Sequence, residues 1–334
     1  MIRLSMEQRL RSSSASSMTA KGPIHVEGLL IVDKPGGCTS HDVVAQIRRW
    51  TRVPRVGHAG TLDPQATGVL LIGLGAGTKL TPFLQECRKT YRATLQLGQR
   101  TDTLDAAGNV VEVRPVREMS RADVEAVLAG FRGVIEQIPP MFSALKRQGQ
   151  RLYTLARQGV DVERQPRRVQ IFRLALVDFT AATLRLEVEC ASGTYIRALA
   201  DDIGARLGCG AHLSALVRTA IGPFTLAHAL PLPALADAVH RGDWLRHVRA
   251  LSTAVAAFPA LILTAAAAQR LAHGVAPTPP GIVRHVGAFE AADTVALLGP
   301  DEALRAMGSA VCRAAELRDM PQSAPVVRLR RVLS

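Results

Sequence analysis

Hydrophobic and polar positions alternate with two different periods along the chain, and the first clear signal begins at Gly28. GLLIVDKP reads as a buried strand that ends in a turn, and TSHDVVAQIRRW follows as a helix. Val43, Val44, Ile47 and Trp50 supply its apolar face, Thr39 stands at the N-cap, and Asp42 completes a capping box. GVLLIGLG, at 68 to 75, is a second continuous apolar strand, TKLTPFLQEC a short helix, and TYRATLQLG, at 90 to 98, an alternating half-buried strand. A further helix spans Ser120 to Phe131, with Ser120 and Asp123 as its capping box and Val124, Val127, Leu128 and Phe131 on one face. Strands are expected at 169–179 and 184–190, the second passing through a Ser192-Gly193 turn into the helix TYIRALADDIGARLG.

Before Gly28 there is no hydrophobic period. Residues 1–27 are rich in Ser and Arg and read as a disordered, weakly basic tail. The stretch from about 225 to 260 is alanine-rich and helical. From Ala260 the chain turns to short apolar runs broken by proline and glycine and ends in VVRLRRVLS, which reads as a small all-β appendage with a basic last strand. Strands and helices interleave without the strict alternation of a doubly wound sheet, so the fold class is α+β, a mixed sheet with helices packed on it.

Composition narrows the function. The chain has 334 residues, enough for two domains or one large domain with an appendage. It has no apolar run of eighteen residues, which argues against a membrane span, and its first residues lack the apolar core of a secretory signal. A cytoplasmic protein is expected. Five scattered cysteines fit reduced thiols better than a disulfide framework. The net charge is +13, a field that suits a polyanionic partner such as nucleic acid. Only Lys21, Lys34, Lys79, Lys89 and Lys146 are lysines among the 41 basic residues, an arginine bias that a GC-rich genome would also produce.

Several motifs fail on inspection. CTSH at 38–41 and CGAH at 209–212 supply two thiols and two imidazoles, but without the paired knuckle context of a zinc site, so no metal is expected. GLGAGTK, at 73 to 79, follows a strand and precedes a helix. It lacks the third glycine of a dinucleotide fingerprint and the spacing of a phosphate loop, and a tight turn is the better reading. The pairs Asp102/Asp105 and Asp201/Asp202 read as solvated acids. No G-x-S-x-G elbow occurs.

GHAGTLDPQATGVL, at 57 to 70, survives. Gly57 and Gly60 flank His58, Pro64 stiffens the chain after Asp63, and the loop opens onto the strand at 68. On residues alone Asp63 is either a nucleophile or base presented to a cleft, or a cap on the Thr61-Leu62 turn.

The same stretch resembles the catalytic motif of the TruB family of tRNA pseudouridine synthases. LLIVDKPGGCTSHDVV is similar to that family's N-terminal lysine-proline motif, and RKTYRATLQLGQRTDTLDAAG to its tyrosine segment. IPPMFSALKRQGQRLYTLARQG resembles its helical insert, and ASGTYIRALADDIGARLGCGAHLSALVRT its tyrosine-arginine segment. The likeness runs from about 28 to 225. It implies a pseudouridine synthase fold over 28–255, with a helical insert near 120–165 and a PUA-like RNA-binding domain over 256–334. It also implies isomerisation of uridine 55 in the T-loop of tRNA, without cofactor or metal, by a monomer that needs no protein partner.

By that resemblance Asp63 is the nucleophile, by one of three routes: attack on the sugar, attack on the base, or removal of a sugar proton. Arg197 is the arginine paired with it. Tyr91 lies against the flipped base and helps remove its C5 proton, while His58 fills the gap the base leaves. Tyr195 and the backbone around Leu216 touch substrate. Lys34 supports the active-site loop and approaches a phosphate.

Overall fold

A computed structural model describes residues 22–333, apart from 144, 145, 148, 149, 152–157, 159 and 161. Most of the expected 1–27 tail and part of the 120–165 insert therefore lie outside the described residues. Within them Ile24 donates its N–H to Arg52 O at 3.3 Å, which ties the start of the described chain to the end of the first helix.

The main sheet has ten strands. In chain order its long members are β1 (Gly28–Lys34), β2 (Val56–Ala59), β3 (Thr67–Leu74), β4 (Lys89–Leu97), β5 (Gly133–Gln137), β6 (Arg167–Phe179), β7 (Thr183–Cys190) and β8 (Ala211–Ile221). Across the sheet they run β1, β3, β8, β4, β7, β6, β5, with β2 paired to β3 and two-residue strands at Leu230–Pro231 and Phe224–Thr225. The β3–β8 pair and the short Leu230–Pro231 pairing with β1 are parallel, and the other neighbours are antiparallel. The sheet is thus mixed.

Both expected capping boxes are present. Thr39 Oγ1 accepts the Asp42 N–H and the Asp42 carboxylate accepts the Thr39 N–H at the head of α1 (Ser40–Thr51). Ser120 and Asp123 do the same for the helix Arg121–Ala129. The apolar face of α1, Val43, Val44 and Ile47, packs on Leu30, Val32, Leu70 and Ile72 of β1 and β3. Alternation in β4 sends Tyr91, Ala93 and Leu95 into a second cluster with Leu186, Val188, Leu199 and Ile203.

Of these eight long strands, three are not evident from the sequence: β2, β5 and β8. The last lies in the middle of the sheet, yet it does not alternate, because bulges between Leu213 and Ala215 and between Arg218 and Ala220 break its period. The alanine-rich stretch after 225 holds a real helix, Leu232–Arg241, but then only short turns of helix at Trp244–His247 and Leu251–Ala254.

The C-terminal lobe is a five-stranded sheet of Ala260–Leu263, Ile282–Val286, Thr294–Leu298, Leu304–Ala310 and Val327–Val332. It also contains a helix, Ala265–Ala272, where the sequence reading expected strands alone; Thr264 caps it by accepting the Ala267 N–H at 3.2 Å. Alanine-rich text of low β-propensity behind a threonine cap forms a helix. Ala260, Ala296, Leu304 and Met307 of this lobe pack in one cluster with Leu29, Val69, Phe83, Ile221 and Phe224 of the main sheet. Arg330 adds an ion pair to Glu86 at 3.0 Å.

Candidate active site

Residues 60–66 join β2 to β3, and a partner of fixed position claims every backbone carbonyl from 60 to 64. Arg218 donates to Gly60 O at 3.0 Å and to Thr61 O at 3.3 Å. The buried Ser40 hydroxyl donates to Leu62 O at 3.2 Å and accepts the Leu62 N–H at 2.9 Å. Ala66 N–H closes a turn onto Asp63 O at 3.1 Å. Lys34 Nζ, at 3.1 Å, and Gly37 N–H, at 2.9 Å, both reach Pro64 O. Buried carbonyls need such partners, and here the partners also fix the plane of each peptide. Gly60 takes φ +90°, the left-handed backbone that glycine adopts without strain.

The Asp63 side chain is therefore free to face outward, and its carboxylate meets Arg197. Arg197 Nε stands 2.9 Å from Asp63 Oδ2, and Nη2 donates to Asp63 Oδ1 at 3.2 Å, a side-on pair that uses both carboxylate oxygens. Asp63 is 39% exposed and Arg197 6%, so the acid reaches solvent while the base is held behind it. This geometry answers the alternative of a turn cap: the Leu62 N–H goes to Ser40, and the carboxylate goes to Arg197.

Arg197 is the second residue of helix Ile196–Leu207 and is fixed on all sides. Its Nη1 donates to Thr103 O at 3.1 Å, its Nη2 to Phe142 O at 2.8 Å, and Asp105 Oδ2 lies 3.6 Å from its Nε. Asp105 is thus no solvated acid. Its Oδ1 accepts from Thr103 Oγ1 at 2.6 Å and from Ala107 N–H at 3.0 Å, and this holds the 101–107 turn against the arginine.

Tyr195 precedes the helix. Its N–H donates to Gln137 Oε1 at 3.1 Å, and Gln137 Nε2 donates back to Tyr195 O at 3.3 Å. Burial raises the Tyr195 phenol, while Ser143, Arg167 and Arg197 oppose it.

One row of the sheet carries the rest. Lys34 of β1 pairs with Gly68 of β3, Gly68 with Arg218 of β8, and Arg218 with Tyr91 of β4. Tyr91 is buried; burial raises its phenol pKa, and Arg218 pulls the other way. Burial lowers the Arg218 guanidinium, opposed by Tyr91. His58, half-buried on β2, is held below the usual imidazole value by burial, then by Arg218 and His41, and its Nδ1 has no hydrogen-bond partner among the described residues. Leu216, two residues before Arg218, packs half-buried against the cluster that holds Leu62 and Tyr91. Lys89, at the start of β4, donates to Cys87 O at 2.7 Å and to Gln85 O, and burial above all lowers its pKa to about 8.

The structure thus gathers Asp63, Arg197, Tyr91 and Tyr195 at one place, with His58 and Leu216 at its edge. It corrects Lys34 as a phosphate ligand. That side chain is 0% exposed, and its ammonium donates to Pro35 O, Cys38 O and Pro64 O at 2.8, 2.7 and 3.1 Å, so no donor remains for a phosphate. Three residues of the site were not singled out from sequence for this place: Asp105, Gln137 and Arg218. Only Arg218 carried a signal, a lone charge inside the apolar run ALVRTAI. No group of three or more His, Cys, Asp and Glu is gathered to hold a metal among the described residues, and His212 of the CGAH string faces Gln99 O at 3.0 Å.

Comparison with known proteins adds to the geometry. Residues 48–196 match the N-terminal domain of TruB family pseudouridylate synthase, 197–255 the tRNA pseudouridylate synthase B C-terminal domain, and 259–333 the PUA domain. A tRNA pseudouridine synthase B of Geobacter sulfurreducens is 45% identical over 252 residues, covering 75% of this chain and 83% of its own. One from Azoarcus sp. is 48% identical over 251 residues, covering 75% and 82%. Among solved structures, a Cbf5-Nop10-Gar1 complex aligns with a TM-score of 0.76 and 28% identity over 92% of this chain and 85% of that one. An H/ACA RNP bound to a substrate RNA containing 2'-deoxyuridine gives 0.73 and 26%, over 92% and 85%.

Proposed function

We propose that this chain, which belongs to the TruB family of pseudouridylate synthases, acts on uridine 55 in the T-loop of tRNA with Asp63 as its nucleophile. The chain is an isomerase that converts uridine to pseudouridine in tRNA, and it carries a PUA domain. The observation that carries the mechanistic reading is the Asp63–Arg197 pair: a solvent-reaching carboxylate on a loop of fixed carbonyls, backed by a buried guanidinium.

The isomerisation breaks the N1–C1′ bond and forms a C5–C1′ bond, and the proton lost at C5 balances the one gained at N1. No electrons are exchanged. Asp63 supplies the ionised oxygen that engages the nucleotide, and the rigid loop holds it at attack distance. Arg197 orients both carboxylate oxygens through its planar fork. Tyr91 lies against the base and helps remove its C5 proton. The base must first leave its stack, at a cost of a few kcal/mol. His58, a half-buried ring whose imidazole pKa burial, Arg218 and His41 hold down, fills the vacated place, while Tyr195 and Leu216 line the pocket. The net charge of +13 supports contacts to tRNA phosphates whose strength falls with salt. We place the enzyme in the cytoplasm as a monomer that needs no protein partner, cofactor or metal.

The test is conversion of an unmodified tRNA transcript. Wild type forms pseudouridine at position 55, whereas Asp63→Asn binds the transcript and forms none. Product from that variant at near wild-type rate removes the nucleophile, and product at another uridine removes the site of action.

A further inference from the structure

Arg218 is 1% exposed, a guanidinium sealed in the middle of a sheet. Its Nε donates to Val69 O at 2.8 Å, its Nη1 to Thr61 O at 3.3 Å and its Nη2 to Gly60 O at 3.0 Å. All three acceptors are backbone carbonyls, and none of its hydrogen bonds among the described residues goes to a carboxylate. A charge taken out of water on these terms is costly, and an apolar side chain of similar volume would suit the same space better. Its presence therefore calls for a reason other than stability.

The reason lies in what the carbonyls belong to. Gly60 and Thr61 lead directly into Asp63, and Val69 is the third residue of β3, so one planar fork clasps the catalytic loop at its entry and the strand at its exit. The fourth neighbour is Tyr91, the cross-strand partner of Arg218 on β4, whose phenol and the guanidinium act on each other electrostatically. Asp63 and Tyr91 sit on separate elements, the β2–β3 loop and β4. The strand that separates β3 from β4 is β8, and Arg218 is its member of the row that contains Tyr91. Gly68, opposite Arg218 on the other side, is held at φ +104°; a Cβ there would lie 2.2 Å from Arg218 O, so the two backbones meet without a side chain between them. A lysine cannot reproduce this. Its ammonium is a compact point, whereas the guanidinium presents five donors in one rigid plane.

We infer that Arg218 is a positioning residue for the isomerisation, fixing the Asp63 loop and the Tyr91 phenol relative to each other through one buried guanidinium. This rests on the assignment of Asp63 and Tyr91 to the reacting base. Lys34 clasps the far side of the same loop at Pro64, but its strand is not a neighbour of β4, whereas Arg218 is the cross-strand partner of Tyr91.

The experiment uses the full chain with Arg218→Met and Arg218→Lys. Single-turnover conversion of unmodified tRNA is measured with enzyme in excess, beside filter binding of the same tRNA. In parallel, 3-fluorotyrosine labelling gives a 19F spectrum of three tyrosines, with the Tyr91 signal assigned by its loss in Tyr91→Phe. Arg218→Met is expected to bind tRNA within about threefold of wild type yet convert it about 100-fold more slowly, and Arg218→Lys to recover part of that loss. The Tyr91 resonance moves in both variants while that of Tyr195 stays. Rates within about threefold of wild type in both variants overturn the proposal. So does a rate loss that merely follows the loss of binding. If Arg218→Met does not fold, Arg218→Lys, which keeps charge and bulk, decides by the same readings. Absence of any product with wild type would instead strike the assigned activity, which keeps the two failures apart.

Discussion

Gln137→Met isolates the support behind Arg197. Gln137 is 2% exposed at the end of β5, and its amide exchanges two hydrogen bonds with the Tyr195 backbone, just where the helix bearing Arg197 begins. Methionine fills nearly the same volume without a cavity, so the change removes hydrogen bonds and little else. Tyr195 O keeps its helical bond from Leu199 N–H at 3.0 Å and loses only a second donor, worth about 0.5–1.5 kcal/mol. The Tyr195 N–H loses its acceptor, and a buried donor left unpaired costs about 1–3 kcal/mol. A destabilisation of about 2–4 kcal/mol follows, measured by urea denaturation with unchanged m-value. The helix start then loosens two residues from Arg197, and a displacement of about 1 Å in a catalytic group costs roughly 100-fold in rate. Single-turnover conversion should therefore fall at least tenfold while tRNA affinity holds. A variant within about 0.5 kcal/mol of wild type and with unchanged rate would refute the clamp.

Three further outcomes are expected. Burial, then Asp201, raises the Asp202 carboxyl to about 6, above its unfolded value. The folded state therefore holds this proton more tightly, and the group's contribution is favourable below about pH 4 and is lost as pH rises to 6. Discounted for partial exposure, Asp202→Asn should stabilise the chain by about 1 kcal/mol at pH 7 and by nothing at pH 3.5, read from urea midpoints at the two values. Gly68→Ala places a Cβ 2.2 Å from Arg218 O at φ +104° and should cost more than about 4 kcal/mol or leave the protein insoluble, as a solubility and unfolding assay would show. Lys34→Met strands the Cys38 carbonyl while Pro64 O keeps its Gly37 N–H, so stability should fall by about 1–3 kcal/mol and turnover should drop more than tRNA binding does.

Local chemistry was legible in the sequence, and long-range chemistry was not. The capping boxes at Thr39/Asp42 and Ser120/Asp123 span three residues each and were found intact. The alternation of β4 and the apolar runs of β1 and β3 likewise state their own burial. Strand β8 does not, because its two bulges destroy the period and its place is set by β4 and β3, far away in the chain. The same holds for the polar residues. Gln137 meets Tyr195 across 58 positions, Arg218 meets Gly60 across 158, and Asp105 reads as a surface acid in the sequence because Arg197 is remote from it. Asp63 itself stands out as an oddity in its loop, but that its carboxylate pairs with Arg197 and caps no turn is set by a residue 134 positions away. Lys34 stands out by its motif, yet only its total burial shows that it works inward.

The apolar cluster shared by the two lobes has a bearing on how this chain can be cut. Phe83, Ile221 and Phe224 lie against Ala296, Leu304 and Met307, and the same layer includes Ala59 and Val69, which bracket the Asp63 loop. A truncation after Pro259 would strip the cover from that layer and leave greasy surface bare next to the active strands. The C-terminal lobe is thus no detachable cassette: shortened proteins should clump or lose turnover even on a minimal RNA hairpin that the missing lobe never touches.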